Sequence, residues 1–286
     1  MKVLITGAAG QLGLDCIDAF GDDEVVALDR HHLDVADEAA VWQVVAAAAP
    51  DVVVNAAAWT DVDACEDDPR RAHQVNALGP WWLARACAAV GARLVTVSTD
   101  YVFPDRRPSD GRGWCEFDPV APLNAYGRSK AAGEQLVRET LRDHHIVRTA
   151  WLCGARGDNV VTRMLQRARE GAEIAVVDDQ VGSPTFTRDL AAAVRRLVVA
   201  GRPGTVHLTN AGECSWFDLV VAAVEQAGME AAVARTTSAQ LGRRAARPEW
   251  SVLDGIHAAA IGVGPLPHWR DGLARLVAEL QERPPG

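Results

Sequence analysis

Short apolar runs alternate along this chain with longer stretches in which apolar positions recur every three or four residues. The runs at 2–6, 24–28, 51–55, 93–98, 146–152, 173–177 and 205–210 are rich in Val, Ile and Leu, and are predicted to be buried strands. Helical periodicity follows after Gly10 through Phe20, over about 37–49, 78–90 and 126–144, in a stretch reaching Glu170, and over about 188–199, 216–227 and 269–282. Strand followed by helix, repeated, predicts an α/β fold with a doubly wound parallel sheet. Residues 1–152 would form a main domain, with later contributions from about 186–210. Residues 153–286 would form mainly a smaller α/β domain, ending in a short tail at 283–286. No internal repeat or low-complexity tract is visible.

Two irregular stretches interrupt this rhythm. Gly7, Gly10 and Gly13 lie directly between the first strand and the first helix. Glycines there let a pyrophosphate approach the backbone, and the following helix N-terminus offers amide hydrogens and the positive end of a dipole. Asp29 and Arg30 end the second strand, ~20 residues on, where an acid meets the adenosine ribose of NAD or an arginine meets the 2′-phosphate of NADP. Asp34 either contacts adenine or caps the helix after it. The third strand runs into Asn55-Ala56-Ala57-Ala58, small side chains that let a cofactor pass. The second irregular stretch, 104–122, is long for a loop within a domain, and loops of that length are commonly functional.

Composition narrows the partners. The 286 residues are 49% hydrophobic, ample for a large core, and carry a formal net charge of −9 without like-charge blocks. That balance argues against nucleic acid or an anionic membrane as the main partner. Six cysteines, at 16, 65, 87, 115, 153 and 214, show no metal-ligand or disulfide spacing, and Cys16 and Cys87 fit helix cores. With no apolar run of ~18 residues and no signal-peptide core, a cytoplasmic location is expected.

Chemistry concentrates between Ser98 and Glu134. Tyr126 and Lys130 are four apart at the start of a predicted helix and so share one face. An ammonium beside a phenol favours the phenolate and brings its pKa of ~10 toward neutrality, so the two can act as one proton-transfer unit. Thr99 and Asp100 stand at the carboxyl end of the fourth strand, where ligands lie in open α/β sheets. The Thr99 hydroxyl can hydrogen-bond a substrate carbonyl or simply close the strand end. Trp151 can pack a sugar or base, or the core.

The segments T-G-A-A-G-Q-L-G, N-A-A-A-W-T-D-V-D, S-T-D-Y-V-F, Y-G-R-S-K-A-A-G-E, R-T-A-W, D-D-Q-V-G-S-P-T and R-P-x-x-S-x-L, in that order, resemble the dTDP-4-dehydrorhamnose reductase family of extended short-chain dehydrogenases/reductases. The resemblance spans nearly the whole chain. It implies a Rossmann domain holding NADPH, with NADH possible, and a smaller domain gripping a dTDP-sugar. It places Gly7, Gly10, Gln11 and Leu12 at the pyrophosphate, Asp29, Arg30, Asp34 and Val35 at the adenosine end, and Ala56, Ala57 and Ala58 along the middle of the cofactor. Tyr126 would protonate the C4 oxygen, and Lys130 would hold the nicotinamide ribose and lower the Tyr126 pKa. Thr99 would bond the carbonyl, while Asp100 and Trp151 position the sugar. Members of the family have a magnesium-linked dimer, and Asp15 occupies one such neighbourhood. A full carboxylate set is not identifiable, so no metal is expected, and the assembly is a monomer or homodimer. Reduction of another dTDP-4-keto-6-deoxyhexose, or a catalytically silent binding protein on the same fold, are the alternatives.

Overall fold

The structure is a computed structural model and describes residues 1–282. The expected tail, and with it the end of the expected second domain, lies outside the described residues. In chain order the first part comprises β1 (Lys2–Thr6), α1 (Gln11–Ala19), β2 (Glu24–Leu28), α2 (Glu38–Ala48), β3 (Val52–Asn55), α3 (Val62–Asp67), α4 (Pro69–His73), a π-helical turn (Gln74–Leu78), α5 (Gly79–Val90), β4 (Arg93–Thr99), a 3-10 turn (Asp100–Val102), α6 (Ala125–Thr140) and β5 (His144–Thr149). There follow β6 (Leu152–Cys153), α7 (Val160–Arg169), β7 (Ile174–Val177), β8 (Val181–Gly182), β9 (Thr185–Phe186), α8 (Thr187–Ala200) and β10 (Gly204–His207). The last part holds β11 (Asn210–Ala211), β12 (Cys214–Ser215), α9 (Trp216–Gln226), β13 (Val233–Thr236), α10 (Ser238–Leu241), α11 (Ile256–Ala260), β14 (Leu266–His268) and α12 (Trp269–Glu282).

Six strands pair in one parallel sheet of order β10-β5-β4-β3-β1-β2. Its central strands are apolar on both sides because both faces are covered. Val3, Ile5, Val52, Val54 and Val95 meet Leu12, Cys16 and Phe20 of α1 and Leu190, Val194 and Leu197 of α8 on one face. Leu4, Val53, Leu94 and Ile146 meet α2, α5 and α6 on the other. The chain leaves β1 toward β2 and returns on the far side at β3. The sheet order therefore reverses at β1/β3, which opens a crevice beyond their carboxyl ends. A polar ladder crosses those ends: Thr6 Oγ1 donates to Asn55 Oδ1 at 2.7 Å, and Asn55 Nδ2 donates to Thr96 Oγ1 at 3.1 Å.

A second lobe has its own core, in which Val161 and Leu165 of α7, Leu219, Val220 and Ala223 of α9, and Leu273 and Leu276 of α12 surround Phe186 and Trp269. Its strands pair only two by two, β7 with β13, β8 with β12, β6 with β9 and β11 with β14. Within the stretch 186–210, α8 and β10 pack with the main sheet.

Three expected boundaries are corrected. The strand expected at 146–152 runs instead over His144–Thr149, because Trp151 adopts φ 49°, which no extended strand tolerates. The helix expected to reach His144 stops at Thr140, since Leu141 is already extended and His144 pairs with Leu94 of β4. The strand expected at 205–210 splits into β10 and β11, which belong to different sheets. All six cysteines are free and buried.

Candidate active site

The glycine turn leaves β1 with Gly7 at φ 68°, a conformation that disfavours any side chain. A Cβ on Gly7 would stand 2.6 Å from the Ala57 nitrogen and 2.7 Å from the Ala56 carbonyl carbon. The two strand ends thus come together backbone to backbone, and only glycine permits it. Gly10 is the N-cap of α1, so the first amides of that helix lack intrahelical acceptors and face outward. Beyond them lies a cavity of about 250 Å³ lined by Gly7, Gly10, Asp29, Arg30, Asp34, Val35, Ala56, Ala57 and Ala58. Nine of the sequence-predicted cofactor residues therefore share one wall. A dinucleotide's phosphates fit this cradle, which offers amides, a helix N-terminus and no side chain in the way.

The acidic and basic candidates at the far end behave differently. Asp29 Oδ1 accepts from the backbone nitrogens of His31 and His32, at 2.9 and 3.1 Å, and contacts His32 Nδ1 at 2.7 Å. These bonds hold its carboxyl below the ordinary carboxylate range. One of its oxygens is thereby committed to its own turn, while Arg30 is exposed at the cavity rim. Asp34 does not cap α2, because Asp37 does so by accepting from Ala40 N at 3.1 Å. Asp34 Oδ1 accepts from Ala36 N instead, at 3.0 Å. Trp59, Arg71 and Val75 complete this cavity, with the Arg71 guanidinium 4.6 Å from the Trp59 ring centre. Sequence reading gave none of these three a role. Trp59 lay within a quoted motif, but nothing in the local pattern marked Arg71 or Val75.

Gln11 and Leu12 do not line this cavity with their side chains. Leu12 packs in the core beneath the sheet. Gln11 Oε1 accepts from Gly154 N at 3.0 Å and Asn159 Nδ2 at 2.9 Å, bonding α1 to the loop before α7. Any phosphate contact from these two residues would come from their backbone amides.

A second cavity of about 1200 Å³ opens on the other side of Gln11, between the lobes. Tyr101, Trp151 and Trp216 line it, together with Gln180, Ser238 and four arginines, Arg163, Arg167, Arg243 and Arg247. Such a cavity suits a bulky anion with a flat apolar end. The indoles of Trp151 and Trp216 stack at 3.6 Å with 6° between their planes. Gly182 presses from beside them, since a Cβ there would meet Trp151 Cε2 at 2.5 Å. Positive φ at a tryptophan costs ~1–3 kcal/mol, which the stacking and burial of two large rings offset. The arginines were missed from sequence. Arg247 stood in a quoted motif without a role, and the others lie on elements far apart in the chain.

Tyr126 touches a lining residue of each cavity, Trp59 of the first and Tyr101 of the second. Its ring packs with Trp59, Cys65, Ala72 and Ala125, and meets Tyr101 edge-on at 6.0 Å. The start of α6 is held firmly: Asn124 caps it by accepting from Gly127 N at 2.8 Å, and Glu66 Oε1 accepts from Ala125 N at 2.6 Å. Thr99 hydrogen-bonds the phenol, donates to Asp100 Oδ1 at 2.9 Å, and accepts from Tyr101 N at 3.2 Å. Asp100 itself is buried behind Thr99, and burial pushes its carboxyl up to about 6. It orients the Thr99 hydroxyl and is not part of the large cavity's wall.

Lys130 and Tyr126 have different hydrogen-bond partners. Lys130 is buried and donates to the Val97 carbonyl at 2.6 Å, while burial brings its ammonium down to about 8. Burial also pushes the Tyr126 phenol up, and the Thr99 hydrogen bond works against that rise. Thr99, at the end of β4, is the group that bonds the phenol, and the Lys130 ammonium bonds the β4 backbone at Val97.

Asp15, Asp189 and Glu279 share a small cleft behind this region, each paired with an arginine: Arg156, Arg275 and Arg188 respectively. Among the described residues no group of three or more side chains is arranged to hold a metal ion. No helix among them is long and apolar enough to cross a membrane.

A glycine cradle at the reversal of a parallel sheet, with a half-buried tyrosine backed by a buried threonine and lysine beside it, defines an NAD(P)-dependent oxidoreductase of the short-chain dehydrogenase/reductase type, and this chain is one. The family profile described as "RmlD substrate binding domain" matches residues 1–282, and the chain belongs to that family. It is 46% identical over 280 residues to a dTDP-4-dehydrorhamnose reductase of Streptomyces griseus, covering 94% of this chain and 91% of that one. To the spore coat polysaccharide biosynthesis protein SpsK of Bacillus subtilis it is 40% identical over 284 residues, covering 99% and 98%. A crystal structure of the dTDP-4-dehydrorhamnose reductase of Bacillus anthracis in complex with NADP superposes with a TM-score of 0.93 at 38% identity, covering 97% of this chain and 99% of that one.

Proposed function

We propose that the chain reduces the C4 ketone of dTDP-4-dehydro-L-rhamnose to dTDP-L-rhamnose in the cytoplasm, with NADPH as the preferred reductant and NADH as a weaker one. The observation that carries this reading is that the Tyr126 ring packs with Trp59, which lines the glycine-cradled cavity, and meets Tyr101, which lines the arginine-lined one. When bound, the reduced nicotinamide supplies a hydride to the carbonyl carbon. Gly7, Gly10 and the first amides of α1 would hold its pyrophosphate, Ala56 to Ala58 its middle, and Asp34, Val35 and Arg30 its adenosine end. Arg30 favours NADPH, because a free guanidinium recognises a 2′-phosphate while Asp29 is tied into its own turn. Lys130 would bond the nicotinamide ribose.

The rest is done by side chains of this chain. Negative charge grows on the C4 oxygen as the carbonyl is reduced, so donors must converge there. Tyr126 gives its proton to that oxygen, and the Thr99 hydroxyl, which donates to Asp100 Oδ1 in this structure, would turn to the oxygen to supply a second hydrogen bond. The arginines of the large cavity would receive the diphosphate, and the Trp151–Trp216 pair would offer its flat face to the sugar. Domain roles follow: the six-stranded lobe carries the cofactor, and the second lobe the nucleotide-sugar.

A reductase of another dTDP-4-keto-6-deoxyhexose is the second reading, favoured by the likeness to a dTDP-4-keto-6-deoxy-D-glucose reductase of Streptomyces niveus, 39% identical over 95% of this chain. Incubation with NADPH and a panel of dTDP-4-keto-6-deoxyhexoses, with the products identified by NMR, separates the two. NADPH consumption with dTDP-L-rhamnose as the main product is expected. Turnover of a different epimer alone would establish the second reading, and binding without turnover would overturn both.

A further inference from the structure

The segment 243–247 reaches from the second lobe across to α3 and is fastened there by one carboxylate. Asp63, in the first turn of α3, accepts from Ala245 N at 2.9 Å, from Arg247 Nη1 and Nη2 at 3.1 and 2.8 Å, and from Arg243 Nη1 at 3.5 Å. Arg247 Nη1 also donates to the Ala245 carbonyl at 2.9 Å. One turn further on, Asp67 pairs with Arg244. The Arg247 side chain is only 15% exposed, yet it lines the large cavity, so it is built into the wall and does not wave above it. A guanidinium carries five N–H donors. Among the described residues three of these are used on Asp63 and Ala245, which leaves Nε–H and one N–H on Nη2 for a ligand.

The same short helix also holds the reacting group. Glu66, three residues along α3, accepts from the first amide of α6, and Cys65 packs on Tyr126. Asn124, the cap of α6, donates to the Ala246 carbonyl at 2.9 Å. The arginine wall and the Tyr126 phenol are thus referenced to one another through α3 and Asn124.

We infer that Asp63 is a positioning residue for substrate: it holds Arg247 and Arg243 in the cavity wall, where they meet the diphosphate of a nucleotide-sugar, in register with Tyr126. This rests on the reading of the large cavity as the nucleotide-sugar site. Asp63 touches neither the reacting carbonyl nor the cofactor cavity, so its removal acts on substrate binding and leaves the cofactor alone. Asn at this position would keep the shape but set an amide N–H or a neutral oxygen against a guanidinium, and the segment would come loose.

The test uses the full chain and dTDP as the probe, with titration calorimetry for dTDP and NADPH and steady-state kinetics with the keto-sugar. Asp63→Asn is expected to weaken dTDP at least about tenfold and raise KM similarly, because one partner of a hydrogen-bonded charge cluster is lost. kcat should fall less than KM rises, and NADPH affinity should stay as in the wild type, which also certifies the fold. Asp63→Glu, which keeps the charge, should recover most of the dTDP affinity. Wild-type binding of dTDP with no weakening in Asp63→Asn would overturn the positioning role alone. Parallel loss of NADPH binding in both variants would do so too, by showing that α3 merely supports the fold. Failure of the wild type to bind dTDP would overturn the nucleotide-sugar reading and this inference with it.

Discussion

Tyr126 carries the proposed chemistry, and its surroundings say how. Packing around the hydroxyl raises its pKa, so the phenol is fully protonated at neutral pH and stands as a donor, the state that ketone reduction needs. Thr99 opposes that rise, and the buried Asp100 behind it settles which way the Thr99 hydroxyl points. Tyr126→Phe keeps the ring and its packing on Trp59 and Cys65 while removing the proton. NADPH affinity should be unchanged and kcat should drop by roughly 10²–10⁴-fold, the range for a lost general acid. Stopped-flow measurement of NADPH oxidation reads this directly, and near-normal turnover would remove Tyr126 from the reaction.

At the scale of elements, the site is a meeting of helix starts and strand ends. Asn124 begins α6 so that Tyr126 falls in its first turn, and such a cap contributes ~1 kcal/mol to the helix. Gly10 does the same for α1, leaving its amides to the cradle. The short β8 strand pairs with β12, directly ahead of α9 and Trp216, and brings Gly182 against the Trp151 ring. Gly182→Ala would therefore push Trp151 off Trp216. Overpacking of this kind costs ~1–3 kcal/mol, so a rise in KM for the keto-sugar of about tenfold is expected, with NADPH binding intact. Tryptophan fluorescence should change with it. An unaltered KM would mean that the sugar does not rest on the stacked pair.

The whole molecule depends on polar groups sealed between sheet and loops. Glu134 of α6 accepts a two-point bond from Arg148 of β5, at 2.9 and 2.7 Å, and Ser98 donates to it at 2.6 Å. The arginine pulls the Glu134 carboxyl below its ordinary range. His207, which meets Arg148 Nη1 at 3.4 Å, and His145, buried elsewhere on β5, are held neutral, brought down to about 3 and about 4 chiefly by burial. An unfolded histidine titrates near ~6.5, so between that pH and about 4 the unfolded chain binds more protons than the folded one. The two histidines then lower stability as pH drops through that window, by on the order of 3 kcal/mol between pH 6.5 and 5, while Asp100, raised to about 6, takes up a proton in the folded state and offsets about 1 kcal/mol of that loss. The lowered carboxylates, Glu134 and Asp63, add their loss only at more acid pH, as each is protonated through its folded pKa. Urea unfolding at pH 7, 6 and 5 checks this, and a flat profile would show that these histidines titrate alike in both states.

How much of this was written in the chain itself can be judged from particular residues. Gly7 and Ala56 to Ala58 could be placed from local pattern, because a glycine turn after a buried strand, and small residues at the next strand end, are local demands of the backbone, whereas Val35 came only from the family resemblance. The parallel sheet was legible for the same reason: hydrophobic period is set by neighbours in sequence. Trp151 at positive φ, the split of β10 from β11, the Lys130 bond to Val97, and the gathering of Arg163, Arg167, Arg243 and Arg247 were not. Each depends on which distant segments pack together, and burial and charge pairing across such contacts leave no period along the chain. The sequence by itself determined the elements, the glycine turn and the residue proposed as proton donor. Only the tertiary structure decided what surrounds that donor, and which basic residues face it across the cleft, because fields and contact distances exist only once the chain is folded.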